Sequence, residues 1–195
     1  MTESSSKAAA RRERILRAAS KLFSCYGPAK TTIADIARES EISVGAVYLD
    51  FTSKEAVLAA LSSQQHETLL AAMQSAVANA EQNLGAQVEA AVVARTRFVC
   101  RLAEQATHGC ELLHGCQSPV KQAREEHKTQ ELTLFVDLLT RAKKRGDTTR
   151  APKEAAQALV DAFVSLLPPH LEDEASATKR ARRLADLVTH GLLAR

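Results

Sequence analysis

Apolar residues recur at helical spacing through most of the 195-residue chain, and this pattern limits the fold more than any other feature. Leu132, Phe135, Val136 and Leu139 follow the i, i+3, i+4, i+7 spacing of one helix face. The second half of the chain shows no strand signal. With only 7 Gly and 5 Pro, the chain is also poor in the turns that an all-β fold needs. The sequence therefore predicts an all-α protein of about nine helices.

No apolar run reaches the roughly 18 residues that cross a bilayer, and residues 1–4 do not begin a basic-then-apolar signal peptide. We therefore expect a cytoplasmic protein. In a reducing compartment the four cysteines are expected to be thiols rather than a disulfide framework. They are Cys25, Cys100, Cys110 and Cys116.

Positive charge is concentrated near the start of the chain. The whole chain has a net charge of only +3, so affinity for nucleic acid must come from a local patch. Between residues 7 and 30, seven basic side chains accompany one acid, Glu13. The basic residues are Lys7, Arg11, Arg12, Arg14, Arg17, Lys21 and Lys30. We predict a disordered tail over residues 1–7, followed by an amphipathic helix over residues 8–26.

Two short predicted helices follow, joined by a short turn. Thr32 is placed to cap the first of them in a capping box with Asp35, and Ser43 is placed to cap the second. Ile36, Ala37 and other small or apolar residues hold the pair together. A unit of this shape can insert its second helix into the major groove of DNA while the first lies across the backbone.

Three segments of this region resemble the DNA-binding region of the tetracycline-repressor (TetR) family of bacterial regulators. They are TTIADIA at 31–37, ISVGAVY at 42–48 and FTSKEAV at 51–57. The resemblance extends over residues 12–61, and beyond them only the number and length of the helices are similar. It implies that Thr32 and Lys54 contact phosphates and that Tyr48 reaches the DNA backbone or a base. The DNA-contacting residues that it implies are Thr32, Ser43, Val44, Gly45, Ala46, Tyr48, Leu49 and Lys54.

Two positions depart from the family pattern. The turn reads Ser40-Glu41-Ile42, where the family usually has Ala-Gly-hydrophobic. Asp50 stands where an aromatic residue or histidine is common, and a carboxylate there is expected to repel phosphate, an effect that Arg12 and Lys30 would offset.

The resemblance implies a helix-turn-helix DNA-binding domain over residues 1–53 and a helical ligand-binding and dimerisation domain over residues 54–195. It implies a homodimer on a near-palindromic operator, acting as a repressor that a small molecule releases. The last two helices would pair with those of the second copy. The residues expected at that seam are Leu159, Phe163, Leu166, Leu184, Val188 and Leu192.

Seven residues are candidates for lining the ligand cavity, with the arginines suited to an anionic ligand. They are Arg97, Phe98, Arg101, His108, His114, Phe135 and Phe163. One alternative is a regulator that responds to thiol oxidation or metal through Cys100, Cys110 and Cys116, although no CxxC or HxxxH pair supports a metal site. Another is a helical interaction module without DNA binding. No catalytic motif is present, so we expect neither an enzyme nor a cofactor.

Overall fold

The computed structural model describes residues 3–104, 118–164 and 173–192, and within them it contains eight α-helices and no strand. This confirms the predicted all-α class. The helices are α1 (Glu3–Tyr26), α2 (Ile33–Glu39), α3 (Val44–Asp50), α4 (Lys54–Asn79), α5 (Leu84–Glu104), α6 (Ser118–Arg145), α7 (Pro152–Val164) and α8 (Glu174–Leu192). The short helical piece expected at residues 111–117 lies outside the described residues.

Helix α1 begins earlier than the sequence indicated. It starts at Glu3, so the prediction of a disordered tail over residues 1–7 is wrong for residues 3–7. The three alanines at 8–10 are the strongest helix formers, and once a helix is nucleated each added residue gains a hydrogen bond at small cost.

Side-chain caps set the starts of the next three helices. The Thr32 hydroxyl accepts a hydrogen bond from the Asp35 N–H (3.2 Å), and the Asp35 carboxylate accepts one from the Thr32 N–H (3.0 Å). The predicted capping box is therefore confirmed. Ser43 caps α3 as predicted, and Ser53 caps α4. Each cap satisfies a backbone N–H that the first helical turn leaves without a partner.

The described residues fall into two compact units. The first is drawn from Met1–Gln65 and Ala103–Arg124, and the second from His66–Leu102 and Glu125–Arg195. Helix α4 therefore contributes residues to both units.

Each unit has its own apolar core. In the first, residues from α1, α2, α3 and the start of α4 pack together, with Phe23, Ile36 and Val47 fully buried. In the second, Phe135 and Phe163 lie within a larger cluster from α4 to α8, with their ring centroids 6.1 Å apart. Burial of this apolar surface is the main force that holds the helices together.

Candidate nucleic-acid interface

Helices α2 and α3 form the predicted helix–turn–helix. Ile36 and Ala37 of α2 and Val47 of α3 share the core of the first unit. The turn between the helices passes through Glu41, whose φ is +53°. This is the left-handed conformation for which glycine has no steric penalty. The structure thus forms the turn at the position where the sequence departs from the family's usual glycine.

The outer face of α3 is open to solvent. Val44 is 42% exposed, Tyr48 52% and Leu49 77%, whereas Val47 on the opposite face is fully buried. Ser43 and Gly45 are also exposed, and Ala46 is half-buried. The chain therefore presents three apolar or aromatic side chains beside small ones on a short, well-capped helix. These side chains stay predicted DNA contacts.

The two predicted phosphate-binding residues already have partners within the chain. Thr32 is exposed, and its hydroxyl also donates a hydrogen bond to Asp35 Oδ2 (2.7 Å). These bonds from Thr32 hold the pKa of the Asp35 carboxyl below its usual value, so the capping anion persists in mild acid. Lys54 Nζ donates to the Pro28 carbonyl oxygen at 2.7 Å. A phosphate contact by Lys54 stays a prediction. To make it, the ammonium would either bond the phosphate and the Pro28 carbonyl together or give up its bond to the carbonyl.

Several basic side chains of the N-terminal patch are likewise paired within the first unit. Arg14 Nη2 donates to the Ser40 carbonyl oxygen (2.7 Å), and Lys21 Nζ contacts Glu39 Oε1 (2.6 Å). The patch therefore offers fewer cations to a polyanion than its sequence charge suggests. The formal charge of a segment does not reveal which side chains already have an anion beside them.

Asp50, at the end of α3, is paired with Arg11, which its sequence position does not predict. The Arg11 guanidinium donates from Nε to Oδ2 (2.7 Å) and from Nη2 to Oδ1 (2.9 Å). The hydrogen bonds from Arg11 hold the pKa of Asp50 below its usual value and outweigh the opposing effect of burial. The expectation named Arg12 and Lys30 and missed Arg11, which pairs with the carboxylate itself; Arg12 bonds the Asp50 carbonyl oxygen (3.2 Å), and its charge also lowers the Asp50 pKa.

The comparisons with known proteins agree with this geometry. Residues 15–61 match the model of the family described as bacterial regulatory proteins, tetR family. The HTH-type transcriptional repressor BepR from Brucella suis biovar 1 (strain 1330) is 28% identical over 202 residues, which cover 98% of this chain and 91% of BepR. Residues 15–61 are a TetR-family DNA-binding region. The chain is therefore a DNA-binding transcriptional regulator, and the alternative of an interaction module without DNA binding does not account for these matches.

Two further proteins are similar to this chain. YerO, an uncharacterized HTH-type transcriptional regulator from Bacillus subtilis (strain 168), is 52% identical over 48 residues, which cover 25% of this chain and only 17% of YerO. The crystal structure of the transcriptional regulator FadR from Bacillus subtilis in complex with stearoyl-CoA aligns with a TM-score of 0.73 at 14% identity. That alignment covers 92% of this chain and 98% of FadR, and it shows a shared fold.

The predicted ligand-lining residues that the structure describes have different environments in the second unit. Phe135 and Phe163 are buried in the apolar core, and Phe98 packs half-buried against it. Arg97 and Arg101 are exposed, and Arg97 Nε lies 3.5 Å from Glu174 Oε1. His108 and His114 lie outside the described residues. The structure therefore does not gather these seven side chains into one described site, and their role stays a prediction.

A buried polar cluster in the second unit was not predicted. His66 of α4, Arg95 of α5, and His127 and Glu131 of α6 are each at most 9% exposed. Arg95 Nε donates to Glu131 Oε2 (2.9 Å), and His66 Nδ1 lies 3.9 Å from Glu131 Oε1. The two imidazoles stack with ring centroids 4.1 Å apart and planes 4° apart. His66 Nε2 has no hydrogen-bond partner within the described part of the chain.

The cluster favours neutral imidazoles. Burial, reinforced by repulsion from His127, lowers the pKa of His66 to about 4, and the nearby Glu131 only partly opposes this shift. Burial also lowers the pKa of His127. One signal in the sequence could have revealed the cluster, because Arg95 falls on the same helical stripe as Ala91 and Leu102, where a charged side chain is unusual.

The described cysteines do not test the alternative of a regulator that responds to thiol oxidation. Cys100 is buried and Cys25 exposed, and neither forms a disulfide. Cys110 and Cys116 lie outside the described residues. Across residues 3–104, 118–164 and 173–192, no three His, Cys, Asp or Glu side chains are grouped to hold a metal ion.

None of the described helices is both long and apolar enough to cross a bilayer.

Proposed function

We propose that this chain is a dimeric repressor that binds a near-palindromic operator through α3 and is released by a small molecule. Residues 1–53 would bind DNA, and residues 54–195 would bind the effector and the second copy. The observation that carries the proposal is the exposed face of α3, with Val44, Tyr48 and Leu49 outside and Val47 buried beneath them. The naming of BepR as a repressor supports repression as the direction of control.

The outer side chains of α3 suit a particular kind of readout. They are apolar, aromatic or small, and none of them is charged. Apolar side chains contact the methyl group of thymine, and small ones allow close approach to base edges. This face has no arginine to form bidentate hydrogen bonds with guanine. The preference for a DNA sequence would therefore rest on contacts with thymine methyl groups, on Tyr48 and on DNA shape. Thr32 and Lys54 would fix the register through phosphates.

The salt dependence of binding tests the interface. Each phosphate contact contributes roughly 0.9 to the slope of log K against log salt. Lys54→Ala should therefore flatten that slope by about one unit on duplexes that the wild-type protein selects from a randomised pool. Lys153→Ala, which removes an exposed lysine from α7 in the second unit, is the matched control and should leave the slope unchanged. Equal slopes for wild type and Lys54→Ala would remove Lys54 from the interface.

The proposed second copy would pair along α7 and α8. Leu187 of α8 is 71% exposed, and Leu184 and Val188 beside it are half-buried. Two of the expected seam residues, Leu159 and Phe163, are already buried within their own chain, while Leu166 and the side chain of Leu192 lie outside the description. Leu184, Leu187 and Val188 lie on one face of α8 as a continuous apolar strip, and a second copy would bury it.

Light scattering after size-exclusion chromatography tests the seam. Leu187→Lys should shift a dimer towards monomer, because the substitution places a charge in an apolar interface. Lys179→Ala, an exposed position on the same helix, should leave the assembly unchanged. If both variants have the wild-type mass, the seam lies elsewhere.

The effector would use the buried polar cluster. A buried polar atom without a hydrogen-bond partner costs stability unless a bound group supplies one, and His66 Nε2 is such an atom in the described part of the chain. With Nδ1 turned towards Glu131, the neutral ring would offer Nε2 as an acceptor. The effector would then donate a hydrogen bond from a hydroxyl or amine. It must bind the released conformer more tightly than the DNA-bound one.

A compound that releases the selected duplex from the wild-type protein provides the test. His66→Gln should require a clearly higher concentration of that compound, whereas His190→Gln, at an exposed histidine of α8, should respond like wild type. Equal release from both variants would place the effector away from the cluster.

A further inference from the structure

Two arginines of α1 bind the C-terminal end of α3. Arg11 forms the two-point pair with the Asp50 carboxylate, at 2.7 Å and 2.9 Å. Arg12 donates from Nη1 to the Asp50 carbonyl oxygen (3.2 Å), and its guanidinium carbon lies 4.1 Å from the centroid of the Phe51 ring. The last turn of α3 thus receives two cations at the end where its dipole is negative.

Helix α3 packs against α1 and α2 through a small apolar surface. It has seven residues, and Val47 is its single fully buried side chain. Phe51, the residue that follows α3, is also buried in the core. One buried side chain can hold a short helix close to the core, but it leaves rotation about that contact poorly restrained. A planar guanidinium paired at both nitrogens to a carboxylate restrains orientation as well as distance.

We propose that the Arg11–Asp50 pair positions α3 for specific DNA recognition, so that Asp50 is a specificity-determining residue although it carries the charge that DNA repels. The inference rests on the proposed function of α3 as the recognition helix. Asp50 acts as a positioning residue through the direction of the helix and makes no contact with a base. Arg11 is an internal partner of Asp50 and not a phosphate contact.

Charge alone predicts the opposite effect of removing Asp50. Asp50→Asn raises the net charge of the interface by one, so simple electrostatics predicts tighter binding to every duplex and a steeper salt slope. Positioning predicts weaker binding to the selected duplexes, because the side chains of α3 no longer meet their bases together. Binding to a scrambled duplex, which depends on phosphates, should hold or rise. The two explanations therefore differ in sign.

The experiment measures affinity of the full-length chain for selected and scrambled duplexes by fluorescence anisotropy. For Asp50→Asn we expect a loss of about tenfold or more on the selected duplex, the scale of one lost base contact, with no loss on the scrambled one. We call the affinity for the selected duplex divided by that for the scrambled duplex the specificity ratio. Arg11→Lys keeps the charge but cannot form the two-point pair, so it should lower this ratio as Asp50→Asn does. Since Arg11 and Asp50 act together, combining Arg11→Gln with Asp50→Asn should cost little more than either change alone.

Glu39→Gln is the matched control, because it also removes a carboxylate paired to a cation of α1, in this case Lys21 at 2.6 Å, but on α2. It should keep the wild-type specificity ratio. Far-UV circular dichroism at the assay temperature checks folding. If Asp50→Asn unfolds, Arg11→Lys alone decides the question. An unchanged or raised specificity ratio in the folded variants overturns the inference. A wild-type protein that selects no duplex overturns the proposed function instead.

Discussion

Replacing Glu41 with glycine should stabilise the first unit. Glu41 has φ +53°, and it follows α2 in a pattern that ends many helices. Its N–H donates to the Arg38 carbonyl oxygen (3.2 Å), and the Ile42 N–H donates to that of Ala37 (3.0 Å). These are the two bonds of a Schellman motif, whose left-handed residue is usually glycine. Gly146, with φ +84°, ends α6 by the same pair of bonds.

The expected gain follows from two opposing effects. A residue with a side chain is disfavoured by about 1–2 kcal/mol in the left-handed conformation, and glycine has no such penalty. The glutamate side chain contributes little stability in compensation, because it is 88% exposed and its ion pair is a surface contact, with the carboxylate 3.6 Å from Arg14 Nη2. Such a surface ion pair contributes a few tenths of a kcal/mol, and glycine also increases the entropy of the unfolded chain. We therefore expect Glu41→Gly to raise the free energy of unfolding by about 0.5–1 kcal/mol.

Tyrosine fluorescence gives a signal confined to the first unit, since the chain has no tryptophan and its two tyrosines, Tyr26 and Tyr48, both lie there. A gain of 1 kcal/mol should raise the thermal midpoint of that signal by roughly 4–8 °C. Glu41→Ala separates the two effects, because it removes the carboxylate and keeps the Cβ atom. It should be no more stable than wild type. If Glu41→Gly is also no more stable than Glu41→Ala, the left-handed backbone carries no cost and the reasoning is refuted.

Three further outcomes are expected. Because the folded protein lowers the pKa of His66 from 6.5 to about 4, the unfolded chain binds the extra proton first. Stability should therefore fall as the pH drops below 6.5, by about 2 kcal/mol at pH 5 in urea titrations, and His66→Gln should reduce that dependence. Ser53→Ala should lower the unfolding free energy by about 1 kcal/mol, since the Ala56 N–H loses its cap; an unchanged midpoint would show that another group caps α4. Phe135→Ala should cost about 3–5 kcal/mol by opening a cavity in the second unit, seen as a lower midpoint by circular dichroism. A smaller loss would mean that the core collapses around the missing ring.

The helix–turn–helix shows how much could be predicted from short stretches of sequence. Thr32 and Asp35 form the capping box that their spacing predicts, and Ser43 caps α3. These bonds join residues three apart, so the sequence of one helical turn contains all the information. The burial of Val47 beneath exposed neighbours also follows from helical spacing alone.

Ionic partners could not be predicted in the same way. Arg11 and Asp50 are 39 residues apart, and Arg95 and Glu131 are 36 apart. The sequence places Arg11 in a patch that attracts phosphate and suggests Arg97 for the pocket, whereas the structure pairs Arg11 with Asp50 and buries Arg95. A long, flexible cationic side chain can reach several anions, and only the packing of the helices decides which one is near.

The amino-acid order by itself determined the helices, their caps and the exposed face of α3, because each depends on contacts within a few residues along the chain. The tertiary structure alone decided that Arg11 holds Asp50, that Lys54 bonds Pro28, and that two histidines meet Arg95 and Glu131 in the second unit. Those contacts depend on how distant helices approach one another, and burial then fixes which charged groups remain available to a ligand or to DNA.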